Sequence, residues 1–177
     1  MAGLTAGCVG LKPVEDSTRY YLLPGVEDSA PDTSDALSVG LHPLILPPYL
    51  ERREIAIQQG SSQIVYLDGL RWADGLAAAL QRSLVQHLQG QATIRDVIPA
   101  PWVRPSEFDR TIEVRIDECQ GRDDGVVRLS ASWEILPGPN RGRGVFSGTW
   151  SPGDTSGLVY ELGALVRQLA AAIHEDL

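Results

Sequence analysis

The chain has 177 residues, 43% apolar and 21% charged, which suffices for one hydrophobic core and leaves little for a second. A formal net charge of −8 argues against a general nucleic-acid surface, because replacing phosphate counterions takes clustered Lys and Arg. Two cysteines, Cys8 and Cys119, are too few for a disulfide scaffold and cannot by themselves complete a four-ligand zinc site.

Residues 1–8, Met1 to Cys8, are small and weakly apolar and end on a cysteine. They resemble the tail of a bacterial lipoprotein signal, where small residues precede the cysteine that is lipidated. Thr5 stands where such signals favour Leu, and these eight residues contain neither a basic stretch nor a long apolar one. On these residues alone, a signal remnant and an ordinary N-terminal segment both stand. Residues 9–17 are short and polar, carry Pro13, and read as a tether of roughly 30 Å when extended.

Arg19 to Leu23 forms a β-type run stopped by Pro24-Gly25. Val26 to Asp35, with Glu27, Asp28, Asp32 and Asp35, has loop composition. Leu37 to Leu46 reads as a strand running into Pro47-Pro48. Glu54 to Gln58 and Gln63 to Leu67 read as a hairpin around Gln59–Ser62. Leu70, Ala73, Leu76, Ala77, Leu80, Leu84 and Leu88 recur at helical spacing, with Asp68 as N-cap and Gly90 as stop. After a strand at Ile94 to Ile98, the three prolines between Pro99 and Pro105 exclude a central strand. Ile112, Val114 and Ile116 alternate with polar residues, as do Val127, Leu129, Ala131, Trp133 and Ile135. Turns at Gly121 to Gly125 and Pro137 to Gly142, then Gly144 to Trp150, complete an antiparallel meander. A second helix starts near Thr155, capped by Asp154 or Thr155, with Leu158, Leu162, Leu165, Val166, Leu169, Ala172 and Ile173 on one face. The expectation is a single α+β domain over residues 18–177: an antiparallel β-sheet with two amphipathic helices packed on one face. No apolar run has the length of a membrane-spanning helix, and Leu41 to Leu50 is interrupted by His42, Pro43, Pro47 and Pro48.

No chemistry-bearing motif emerges. His42, His87 and His174 share no metal-ligating spacing, and the latter two sit near helix C-termini, where the dipole favours them. Cys119 reads as a small, partly buried apolar residue, and Glu113, Asp117 and Glu134 as a solvated sheet face. Gly142-Arg143-Gly144 reads as a hairpin turn. No catalytic residue, metal site or cofactor is assigned, so a binding or assembly role leads over an enzyme built on Cys119 or a histidine.

The segment Val39-Gly40-Leu41-His42-Pro43-Leu44-Ile45-Leu46-Pro47-Pro48-Tyr49-Leu50-Glu51-Arg52 resembles the ABC-type transport auxiliary lipoproteins, the PqiC/YmbA-like family of paraquat-inducible protein C. Arg71-Trp72-Ala73-Asp74-Gly75-Leu76 is similar to that family's "R-W-A-E-P-L" helix start. Tyr20-Tyr21-Leu22-Leu23, Phe108-Asp109-Arg110, the Gly125-to-Trp133 strand and the closing helix follow in the family's order. Glu51, Asp74 and Gly75 stand where the family has Asp, Glu and Pro. The resemblance implies a periplasmic lipoprotein with Cys8 as its attachment point, held at the outer membrane. Its implied partners are an MCE-domain protein and ABC transporter components, with no enzymatic activity and no nucleic acid; self-association into a homo-oligomer is left open. Within that reading, Pro47, Tyr49, Leu50 and Trp102 are the candidate partner-binding residues, because stiff backbone and aromatic side chains offer contact area at low entropic cost. Two alternatives stand beside it: Tyr49, Trp72 and Trp102 simply fill the core edge, or the domain is a carrier holding an acyl chain between helices and sheet.

Overall fold

The computed structural model describes residues 16–25, 36–102, 104 and 107–177. Cys8 and all of the expected tether except Asp16 and Ser17 lie outside these residues. The elements are β1 (Arg19–Tyr21), β2 (Leu37–Leu41), β3 (Glu54–Gln59), β4 (Gln63–Trp72), α1 (Leu76–Gln89), β5 (Ile94–Pro99), β6 (Arg110–Arg122), β7 (Val126–Leu136), β8 (Arg141–Thr149) and α2 (Thr155–Glu175).

Everything is arranged around β6. One of its edges pairs antiparallel with β7 from Thr111 to Gly121. Its other edge is shared: β2 pairs in parallel with Arg110–Ile112, and β3 in parallel with Gly121 and Arg122. Outward from these lie β5 on β2, and β4 then β1 on β3, while β8 lies on β7. The α+β class and the two helices are as expected, and β6–β7–β8 is the expected antiparallel meander. The sheet as a whole is mixed, not antiparallel, because β1–β4, β2–β5, β2–β6 and β3–β6 all run parallel. Alternation reports which side of a strand is buried and carries no information on the direction of its neighbour.

The side chains of β6 and β7 predicted to face inward do so. Ile112, Val114 and Ile116 of β6 and Val127, Leu129, Ala131, Trp133 and Ile135 of β7 are buried together with Leu158, Leu162, Leu165 and Leu169 of α2. α1 adds Leu76, Ala79, Leu80, Leu84 and Leu88 to the same core, so one domain results. α1 starts at Leu76, later than the apolar spacing suggests, because Leu70 and Trp72 belong to β4 and pair with Arg19 and Tyr21 of β1. Gly75, at φ 81, turns the chain from extended to helical in a backbone region that favours glycine. Asp154 caps α2 as predicted, its side chain accepting from the Gly157 N–H at 3.0 Å.

Gly142-Arg143-Gly144 lies within β8, not in the hairpin turn. A Cβ at Gly142 would come within 2.2 Å of the Trp133 indole, so glycine there lets a large ring on the neighbouring strand lie flat against the sheet. The same indole donates from Nε1 to Asp176 Oδ2 at 2.8 Å, and Asn140 Nδ2 donates to the Asp176 carbonyl at 2.7 Å, which latches the end of α2 to the β7–β8 turn.

Replacing Gly142 by Ala should therefore overpack this site and lower stability by about 1–3 kcal/mol in urea denaturation. Asp154→Ala should cost about 1 kcal/mol through the lost cap. An unchanged urea midpoint in G142A would contradict the packing of Trp133 on β8.

Candidate functional site

The family-like segment lies along the shared edge of β6. After β2 the chain stays on that edge: His42 N–H donates to the Ile112 carbonyl at 2.9 Å, Ile45 N–H to Val114 at 3.1 Å, and Ile116 N–H to Ile45 at 2.8 Å. From Ile45 to Ile57 the chain advances twelve residues, while the facing stretch of β6, Arg115 to Gly121, advances six. The extra residues are looped out around Pro47 to Arg52. Pro47 and Pro48 suit such an excursion because they lack the N–H that a ladder needs. A single 3₁₀ turn, Pro48–Leu50, closes it, with Leu50 N–H donating to the Pro47 carbonyl at 2.9 Å.

Three side chains fasten this loop. Leu50 is 3% exposed and sits in the core, so it is the loop's anchor and not part of its outer surface. Tyr49 is half-buried, and its hydroxyl donates to Gln120 Oε1 at 3.0 Å, with the Asp117 carbonyl at 3.4 Å. Gln120 is itself buried, and its Oε1 also accepts from the Cys119 N–H at 3.1 Å. These groups meet where the β6–β7 register shifts between Ile116 and Glu118, a bulge that frees local polar groups from regular pairing. Tyr66 of β4 donates from its hydroxyl to the Tyr49 carbonyl at 3.0 Å, and the Arg52 guanidinium lies 4.5 Å from the Tyr66 ring centre. Burial pushes the Tyr49 phenol above its ordinary pKa, against the opposing effect of the Gln120 bond, so the hydroxyl stays protonated and remains a donor.

Trp102 is placed apart from this loop. Its ring centre is 4.7 Å from that of His42 and 5.6 Å from that of Phe108. A Cβ at Gly40 would come within 2.6 Å of its Nε1, so the indole lies directly over β2. That Nε1 is buried and has no hydrogen-bond partner among the described residues. Of the four candidates, Pro47, Tyr49 and Leu50 are therefore brought together, and Trp102 occupies the far end of the same segment, beside His42. Beside Ile45, an open groove of about 340 Å³ over β6, β7 and β8 is lined by Ile45, Glu113, Arg115, Ser132, Glu134 and Arg141. Glu113, Arg115, Ser132 and Glu134 alternate with the core-facing residues of β6 and β7, so the groove lies on the sheet face turned away from the helices. Spacing alone does not reveal Gln120 and Tyr66, because their role arises from a bulge and from pairing across the β3–β4 hairpin.

The groups considered for chemistry are dispersed. His42 faces Glu113 at 3.8 Å, His174 meets Thr93 Oγ1 at 2.6 Å, and His87 lies on α1. Cys119 is free and buried, and burial pushes its thiol up to about 12. No group of three or more His, Cys, Asp or Glu able to hold a metal ion occurs among the described residues. No helix among the described residues is long and apolar enough to cross a membrane.

The family model of the ABC-type transport auxiliary lipoprotein component matches residues 20–174. The chain belongs to this family. A crystal structure of an uncharacterized protein superposes on this family member with a TM-score of 0.73 and 21% identity, covering 90% of this chain and 97% of that one. The crystal structure of protein XCC0632 from Xanthomonas campestris, of the DUF330 family, gives a TM-score of 0.71 at 11% identity, covering 88% and 92%. Both likenesses concern the fold. The PelC dodecamer from Paraburkholderia phytofirmans aligns at a TM-score of 0.46 with 16% identity, covering 85% and 95%, too loosely to bear on how this auxiliary component assembles. No curated protein sequence matches the chain significantly.

Two outcomes check this description of the auxiliary component. Tyr49→Phe should lower stability by about 1–2 kcal/mol, because Gln120 Oε1 loses a donor while remaining buried. In a Cys8→Ser background, the Cys119 thiol should be inert to Ellman's reagent at pH 8 in the folded protein and react fully in urea. With its pKa raised by burial, the thiol stays protonated at that pH, and the folded chain shields it. Prompt reaction of the native protein would contradict the burial of β6.

Proposed function

We propose that this family member is a periplasmic lipoprotein joined through Cys8 to the outer membrane, and that its domain docks the periplasmic end of an MCE-type assembly in an ABC-linked lipid transport system. The observation that carries the docking reading is the loop around Pro47 to Arg52. It is an excursion from a paired edge, held by Tyr49, Leu50 and Tyr66 at points far apart in sequence, and so offers a preformed surface. A preformed loop loses little conformational freedom when a partner binds it. Pro47, Tyr49 and Trp102 frame the contact, with Leu50 supporting it from below. The groove beside Ile45 is edged with both acidic and basic side chains, which suits a protein surface better than an acyl chain.

The anchor follows from the same reading. Acyl chains on Cys8 contribute about 0.8 kcal/mol per buried methylene, and more than one chain makes attachment effectively permanent. Residues 9–17 then set the domain's reach from the bilayer. The carrier alternative has less support: the space between the helices and the sheet holds Leu80, Leu84, Leu88, Leu158 and Leu162, each at most 1% exposed.

Two measurements test the proposal. Full-length protein expressed with a fatty-acid probe should be labelled, and Cys8→Ser should abolish the label; labelling that survives the substitution would reject the attachment point. A periplasmic MCE-domain protein co-expressed from the same genome should co-purify with this chain, and the double variant Tyr49→Ala, Trp102→Ala should reduce recovery at least tenfold. Undiminished recovery by a folded double variant would reject this docking surface.

A further inference from the structure

A second recess lies where α1 and α2 meet. Gly163 and Ala164 lie three and four residues after Tyr160, and Arg167 lies four and three after them, so the four share one face of α2. Together with His87 of α1 and Pro24 they line an open recess of about 170 Å³. Its shape is built in. A Cβ at Gly163 would come within 3.0 Å of Pro24 Cδ, so the small residue lets the Pro24 segment approach the helix. Ser83 Oγ donates to the Pro24 carbonyl at 3.2 Å and pins that segment to α1.

The polar side chains in this recess can all donate. Arg167 makes no ion pair among the described residues, Tyr160 is 70% exposed, and His87 is half-buried in the wall. Among the described residues no carboxylate lines the recess, on a chain whose net charge is −8. His87 is held below its ordinary pKa, first by burial and then by the Arg167 charge, so at neutral pH it is an uncharged imidazole with one N–H to give.

We propose that this recess binds a phosphate-type oxyanion: the headgroup phosphate of a phospholipid, or free phosphate. Donors from two helices, with an arginine among them, match a tetrahedral acceptor whose oxygens point in several directions. A planar carboxylate is already matched by one edge of the guanidinium. The recess is smaller than the roughly 300–1,000 Å³ typical of sites that enclose a drug-sized ligand, so it admits a headgroup and excludes the body of a lipid. The site is on the helical side of the sheet, opposite the loop assigned to docking, and the inference stands on the recess alone.

The test is an NMR titration of the isotope-labelled full chain at constant ionic strength. The probes are inorganic phosphate and monomeric dihexanoylphosphatidylglycerol, with sodium chloride as the control. Saturable shifts are expected at the His87 ring and at the Gly163 and Ala164 amides, and Arg167→Gln should weaken the apparent affinity at least tenfold. Saturation by the short-chain lipid at tenfold lower concentration than by phosphate identifies the source as a headgroup; equal or tighter phosphate binding identifies free phosphate. Absence of saturable shifts with either probe, or shifts unchanged in R167Q, would overturn the proposal. Tyr160→Phe, at an exposed position where folding is not at risk, should weaken binding by a smaller factor and gives a second reading of the same site.

Discussion

The fold depends on one strand edge being filled by two others. β6 is longer than either β2 or β3, and the chain that joins those two must run beside the stretch of β6 they leave open. Unpaired N–H and C=O groups at the middle of a sheet carry a desolvation penalty, so the connection has to donate and accept there. Ile45 does both, taking a bond from Ile116 and giving one to Val114. What remains of the connection has no ladder partner and is expelled as the loop around Pro47 to Arg52. The surface proposed for docking is thus a consequence of how the sheet closes.

Holding an expelled loop in place takes contacts that do not come from the ladder. The β6 bulge supplies them, since it positions Gln120 Oε1 to accept both the Tyr49 hydroxyl and the Cys119 N–H. Tyr66 closes the arrangement from the neighbouring hairpin. The same strand places Cys119 in the core, where its thiol is kept protonated, and Gly121 under Trp150 and Leu158. One short stretch of β6 therefore serves the core through one set of side chains and the loop through the other.

Much of this was legible in the residues. The Val127-to-Ile135 alternation states its buried face without ambiguity, and Asp154 announces the start of α2. The segment from Val39 to Arg52, with Arg71 to Leu76 following in order, resembles its family closely enough to suggest the family before any geometry is known. Less legible were features set by partners distant in sequence. Leu70 matches a helical stripe as well as it matches the end of β4, and only pairing with β1 decides between the two. Gly142 and Gly144 have turn composition, yet they lie in a strand because Trp133 and Phe146 need the space. Leu50 looked like a contact residue by its neighbours, whereas burial makes it the support on which Pro47 and Tyr49 stand. Gln120 and Tyr66 carry no local signal, since each matters only through a bond spanning many residues.

The loop is held as firmly as the sheet that expels it. Amide hydrogen exchange of the full chain measures this directly, at Ile45, Leu50 and Ile116, whose N–H groups bond to Val114, Pro47 and Ile45. The account predicts slow exchange at Ile45 and Ile116, comparable to the β6–β7 ladder, with Leu50 protected and all three sensitive to Tyr49→Phe. Exchange at Leu50 and Ile45 at the rate of an unprotected loop, while the β6–β7 ladder stays protected, would contradict it.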